Sequence, residues 1–182
     1  LLLLNTNVSH NLADSEYNTR RQECEAAVDI IQKQYPEVKS LRDVNLDMLE
    51  EFKEQLQGKQ YQRSRYVIEE NNRVMKATTA IKAGELSEFG DLMYGSHDGL
   101  QHDYEVSCPE LDFLVEFSRP KEYIYGSRMM GGGFGGCTIN LIEADKIEEY
   151  IAEAAEAYFK KFDIKLDTIA VSPSEGTIVE KL

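Results

Sequence analysis

No stretch of this sequence stays apolar for the roughly 20 residues that a membrane-spanning helix needs, and basic residues are in short supply. Lys and Arg number 20 against 33 Asp and Glu, a net charge of −13. Nucleic-acid binders gather Lys and Arg to neutralise phosphates, so this balance excludes that class and argues against an anionic membrane surface. Cysteine is scarce as well: Cys24, Cys108 and Cys137 are the whole complement. An odd number without a Cys-x-x-Cys pair reads as reduced thiols, and a cytoplasmic protein is the expectation. His10, His97 and His102 are too scattered for a metal motif, and no metal site is expected. Residues 1–4, all Leu, are too short for a signal-peptide core and lack a basic flank.

The 182 residues are 42% hydrophobic, enough for one domain with a real core. The chain opens without Met, inside what reads as a strand over residues 1–7, and a piece of a longer protein is the expectation. After a polar turn, Cys24, Val28, Ile31 and Tyr35 recur at helical spacing, with Asp14 or Ser15 as cap and Pro36 as stop. Further helices are predicted within residues 46–56, then over 61–81 with Val67, Val74 and Ile81 on the apolar face, and over 86–100. Residues 101–108 read as a loop, and Pro109 suits the first turn of a helix that turns Leu111, Leu114 and Val115 inward. Residues 137–142 read as a strand, and 147–162 as an amphipathic helix. Residues 168–171 and 177–179 read as two short terminal strands. Strands separated by helical blocks imply an α+β fold, a sheet layered by helices.

Three segments carry the chemistry. The first is Met130-Gly131-Gly132-Gly133-Phe134-Gly135-Gly136-Cys137, with five glycines in six residues. Such a backbone takes positive φ freely and lets another surface approach, and its successive N–H groups can line an anion site. It is not a Walker A loop, because no Gly-Lys-Ser/Thr follows, and its glycines precede a strand where a dinucleotide fingerprint needs a helix. A tight turn feeding a strand explains it equally well. The second segment, residues 7–21, is dense in polar groups at a strand-to-helix junction. Tyr17 could offer a hydroxyl to a sugar there, or simply start a capped helix. The third, residues 96–111, places His97 and His102 among acids and puts Cys108 before a helix. Acid–base chemistry or a lowered thiol pKa is conceivable, but a polar loop with a buried thiol fits better.

Taken together, these segments resemble the C-terminal part of galactokinases, in the GHMP small-molecule kinase family. The resemblance rests on Asn5-Thr6-Asn7-Val8 with His10 and Leu12-Ala13, on Ser15-Glu16-Tyr17 with Arg20-Arg21, and on Glu23-Cys24-Glu25. It continues through Leu92-Met93, Ser96-His97 and Leu100, through residues 103–112, and through Gly126-Ser127-Arg128-Met129 into the glycine run. It implies the GHMP kinase C-terminal domain, with an antiparallel, ferredoxin-like sheet layered by several helices over residues 1–182. It implies ATP-dependent phosphorylation of the anomeric hydroxyl of galactose, in a cleft between this lobe and an N-terminal lobe. That other lobe would carry the catalytic Asp, the Ser-rich phosphate loop and most contacts to ATP and Mg. No Met-Asp-Gln and no Ser-rich glycine loop occur here, so no catalytic residue is assigned.

Carried over by resemblance are Tyr17, as a galactose contact, and Gly131, Gly132, Gly133, Gly135 and Gly136, as the third family motif set against the phosphate loop. Gly132 stands where relatives commonly have Ala, and Met130 where many have Thr. Alone, the chain is expected to be inactive. Another GHMP kinase, acting for example on N-acetylgalactosamine, and a non-catalytic galactose sensor remain open alternatives.

Overall fold

The computed structural model describes residues 1–9, 13–174 and 176. Among the described residues four strands form one antiparallel sheet: β1 (Leu2–Ser9), β2 (Ile124–Met130), β3 (Gly135–Ile142) and β4 (Asp167–Ala170), in the order β2-β3-β1-β4. Six α-helices accompany it: α1 (Ala13–Ile31), α2 (Leu46–Glu51), α3 (Gln60–Ala83), α4 (Leu86–His102), α5 (Pro109–Ser118) and α6 (Ile147–Phe162). The chain returns from β1 to the far edge through five helices, turns back as the β2–β3 hairpin, and crosses through α6 to β4. This is the ferredoxin-like order with a long helical insert in its first crossover, in line with the α+β expectation.

The first strand is the centre of the sheet. Leu3 faces Ile139 on one side and Ile169 on the other, so β1 is paired along both edges. Its alternate side chains, Leu2 and Leu4, are fully buried against Leu114 of α5 and against Tyr150, Ala154 and Tyr158 of α6. Rings of Phe113, Phe117, Tyr150, Tyr158 and Phe162 pack edge-on or offset through this layer. A second core joins α1 and α3 to the chain between them, through Ala27, Ile31, Val38, Leu49, Phe52 and Ile68.

α4 covers the outer edge of β2. A Cβ on Gly90 would lie 1.7 Å from the Tyr125 carbonyl oxygen, and one on Gly126 would lie 2.4 Å from the Gly90 Cα. Only glycine at both positions lets the helix cross the strand so closely. The exposed-edge problem of β2 is solved in part by a side chain, because the Met129 N–H donates to His97 Nδ1 at 3.2 Å.

Several expectations are corrected. The helix expected within 46–56 stops at Glu51, where Phe52 closes it and residues Lys53–Gln55 form a single 3-10 turn. Residues 124–130, for which the sequence pattern gave no strand, form one; glycine in the middle masked the pattern. Val74 and Ile81, expected inside, are 55% and 52% exposed, because the second half of α3 extends past the helices that bury its first half. Residues 168–171 correspond to β4, which pairs with β1. The strand expected at 177–179 lies outside the described residues, as do His10, Leu12 and the capping side chains proposed at Asp14 and Ser15.

Candidate functional site

The glycine run is the tip of the β2–β3 hairpin. Gly131 and Gly133 have φ of +88° and +89°, Phe134 follows at +58°, and Gly135 and Gly136 take +129° and +86°. Four of these five positions are glycine because a side chain strains the left-handed region. The exception is held in place from outside. The Phe134 ring joins the apolar cluster of Tyr66, Leu100, Val106, Cys108, Leu111 and Met129, and its N–H donates to the Val106 carbonyl at 2.6 Å. At Gly133 a Cβ would lie 2.1 Å from that same carbonyl oxygen, so the hairpin tip meets the 103–108 loop backbone to backbone. Beside Gly131 and Gly136 nothing lies within 4 Å of the Cβ position. The loop is thus pinned on one flank and open on the other. The glycines do act as a turn feeding a strand, and the open flank leaves bare backbone for a phosphate or another chain to approach.

The 103–108 loop is itself clamped. Arg63 is almost completely buried on α3 and donates to the Asp103 carbonyl, to Glu23 at 3.1 Å and to Glu105 at 2.5 Å. Arg20 of α1 donates to the Tyr104 carbonyl at 2.9 Å and the Glu105 carbonyl at 3.1 Å, and pairs with Glu16. Glu105 has a φ of +52° and accepts from Lys59 and Arg63, which hold its carboxyl below the usual range. Arg63 carried no signal in the sequence, since one Arg on a polar helix face is normally solvated.

Tyr17 projects from the first turns of α1, half exposed. Its ring lies 3.8 Å from where a Cβ on Gly132 would stand. The Thr6 hydroxyl of β1 donates to the Gly136 carbonyl at 2.8 Å, tying the strand before Tyr17 to the far side of the glycine run. Residues 6, 17, 103–108 and 131–136, far apart in sequence, therefore form one constellation. Behind Tyr17 opens a groove of about 450 Å³ bordered by Arg21, Cys24, Lys39 and Tyr104.

The acid–base reading of the third segment does not survive. His97 is fully buried, with Nδ1 accepting from Met129 and Nε2 3.3 Å from Asp112 Oδ1 without the alignment of a hydrogen bond. A nitrogen that accepts from an amide carries no proton, so the imidazole serves as strand-edge support. Cys108 is buried in the apolar cluster, and burial pushes its thiol up to about 11, opposite to an activated nucleophile. Cys24 is likewise pushed up to about 11 by burial. Among the described residues no group of three or more His, Cys, Asp or Glu could hold a metal ion.

Residues 77–160 match the family model described as GHMP kinases C terminal. With the fold and the glycine hairpin, this identifies the chain as carrying a GHMP kinase C-terminal domain. Within that class, its curated relatives include galactokinases. It is 42% identical over 174 residues to the galactokinase of Thermotoga maritima, covering 96% of this chain and 47% of that protein. It is 43% identical over 158 residues to the human galactokinase, covering 87% and 39%. The chain thus spans less than half the length of these relatives. Among solved structures, it superposes on Lactococcus lactis galactokinase complexed with galactose with a TM-score of 0.85 and 30% identity, over 92% of this chain and 43% of that one. L. major mevalonate kinase in complex with R-mevalonate superposes with a TM-score of 0.51 at 20% identity, over 95% and 43%, and shares the fold alone.

Proposed function

We propose that this chain is the C-terminal lobe of a galactokinase, a cytoplasmic enzyme that moves the γ-phosphate of ATP to the 1-hydroxyl of galactose. The observation that carries the reading is the placement of Tyr17 against the tip of the glycine hairpin, on its surface side. A phenol beside a glycine hairpin whose outer flank is free of side chains suits a ligand with sugar hydroxyls at one end and phosphates at the other. The galactose bound by the similar Lactococcus lactis galactokinase supports the choice of sugar.

In this reading the chain's own groups bind and position. Tyr17 holds a sugar hydroxyl through its phenol. Gly131, Gly132, Gly133, Gly135 and Gly136 keep the hairpin thin, so that a phosphate loop on an N-terminal lobe can close over ATP. The hairpin's dipoles lie where phosphoryl charge develops, and positioning with electrostatic support is most of what such a transfer requires. ATP is carried with Mg and is held mainly by that other lobe, which also supplies the catalytic Asp. Neither His97 nor Cys108 takes part.

The test is made on the full-length protein and on this chain. Full-length protein is expected to form galactose 1-phosphate with ATP and Mg, and the 182-residue chain to form none. Tyr17→Ala is expected to raise the galactose KM by about tenfold, a loss of about 1.4 kcal/mol of binding. An unchanged KM removes Tyr17 from the site, and turnover by the chain alone overturns the two-lobe reading. A full-length protein that binds galactose and ATP without turning over is a sensor.

A further inference from the structure

Two buried arginines grip one short loop by its backbone. Arg20 of α1 spreads its guanidinium over two consecutive carbonyls, with Nε donating to Tyr104 and Nη2 to Glu105. Arg63 of α3 holds the carbonyl just before them, Asp103, and its guanidinium carbon stands 6.0 Å from the centre of the Tyr104 ring. The next carbonyl in line, Val106, is the one that accepts from the Phe134 N–H at the hairpin tip. Four successive carbonyls are thus taken in order by α3, by α1 twice, and by the glycine hairpin.

Burying a guanidinium costs desolvation that its ion pairs offset only in part. A loop that merely had to be closed could be held by Asn, Asp or Ser turns without burying a charge. The backbone at this junction is also strained on both sides. Among the described residues, four other than glycine have a positive φ. Two of them, Glu105 at +52° and Phe134 at +58°, flank the Val106 carbonyl, one on each segment. Such conformations persist only where the surroundings impose them, and they gather where function fixes a position.

Arg20 lies three residues after Tyr17, about one turn along α1. The same stretch of helix therefore carries the phenol read as a sugar contact and the cation that anchors the support of the hairpin. We propose that Arg20 is a positioning residue for phosphoryl transfer: acting through the backbone of residues 104–106, it fixes the glycine hairpin at a set distance from Tyr17, with Arg63 as a second anchor. The inference rests on the kinase reading above and deepens it by naming what holds the two ends of the site in register. Between a sugar hydroxyl at one end and a phosphate at the other, that distance sets the alignment of the reacting groups. Lys does not replace Arg here, because a point charge on a flexible stem lacks the planar fork that spans two carbonyls.

The test uses Arg20→Lys in the full-length protein, with Arg21→Lys as control. Arg21 is the next residue, its side chain 70% exposed and paired with Glu25. Well below the melting temperature of each variant, Arg20→Lys is expected to lower kcat at least about tenfold while the galactose KM stays within about twofold. Hydrogen exchange at the Phe134 amide is expected to speed up at least about tenfold, and Arg21→Lys to change neither. A residue that only stabilises the fold would lower the melting temperature and leave kcat and Phe134 exchange at wild-type values; that outcome overturns the proposal. So does a fall in kcat with Phe134 exchange unchanged, because the effect then does not pass through the hairpin. Should Arg20→Lys fail to fold, the wild-type protein supplies the test. Its Val106 and Phe134 amides are expected to open as one unit, with the same free energy and denaturant dependence, and opening of Phe134 more than about tenfold more often than Val106 overturns the proposal. A full-length protein that never phosphorylates galactose, but in which Arg20→Lys speeds Phe134 exchange, sinks the kinase reading and leaves the hold of Arg20 on the hairpin standing.

Discussion

At the scale of single residues, neighbouring glycines of one run do different jobs. Gly133→Ala forces a Cβ into the Val106 carbonyl at a φ of +89°, and is expected to cost about 1–3 kcal/mol in chemical denaturation. Gly132→Ala puts a methyl in ordinary contact with the Tyr17 ring and is expected to change stability by less than about 0.5 kcal/mol. Equal losses at the two positions would refute this division. The sequence made the run conspicuous but could not rank its members, because the ranking depends on a carbonyl contributed by residue 106. Tyr17 was legible only through resemblance, since a Tyr at a helix start has no distinguishing pattern. The thiols make a separate prediction. With Cys24 and Cys108 pushed up to about 11 by burial, very little thiolate exists near about pH 8. Alkylation of the buried Cys108 is expected to follow the rate of unfolding, whereas Cys24, half-buried on the groove behind Tyr17, is expected to react faster; labelling of Cys108 within seconds in the native protein would show its burial to be wrong.

Elements are joined by a few buried polar contacts. Replacing Arg63 by Ala frees Glu23, Glu105 and the Asp103 carbonyl at once. A loss of about 2–4 kcal/mol is expected, toward the lower end because Glu105 is nearly half exposed. Denaturant midpoints of Arg63→Ala against wild type measure it. Glu105 adds a pH signature. Its carboxyl is held below 4.5 by hydrogen bonds from Lys59 and Arg63, so its contribution is present above that value and fades as pH falls through the lowered one. Glu105→Gln is therefore expected to be less stable than wild type at about pH 7 and to converge with it as pH falls through that lowered value. A constant gap across that range would contradict it. Helix periodicity placed α1, α4, α5 and α6 close to where they lie, because each buries one face on a neighbour. It misjudged α3, where Val74 and Ile81 keep the apolar period and yet are 55% and 52% exposed. It missed β2, where Gly126 exists to let α4 approach and so interrupts the strand pattern. His97, weighed as chemistry, holds β2 at its edge, a role set by a backbone amide that no side-chain spacing can announce.

Across the whole molecule, the net charge of −13 sets a general condition. Like charges repel in a compact state, and salt screens them within about 10 Å at 0.1 M. The melting temperature near neutral pH is expected to rise by a few degrees between low salt and about 0.5 M sodium chloride, and a fall would mean that its ion pairs outweigh the repulsion. Fold class was readable because the alternation of strands and helical blocks is a property of the whole sequence. The placement of β1 has a further consequence, in time. Both neighbours of this central strand, β3 and β4, begin more than 120 residues downstream of it. At a synthesis rate of about 5–20 residues per second, its leucines leave the ribosome on the order of ten seconds before a partner strand exists. For that interval the most apolar segment of the chain lacks both of its partner strands, the condition in which a nascent polypeptide depends on chaperones that hold exposed leucine runs.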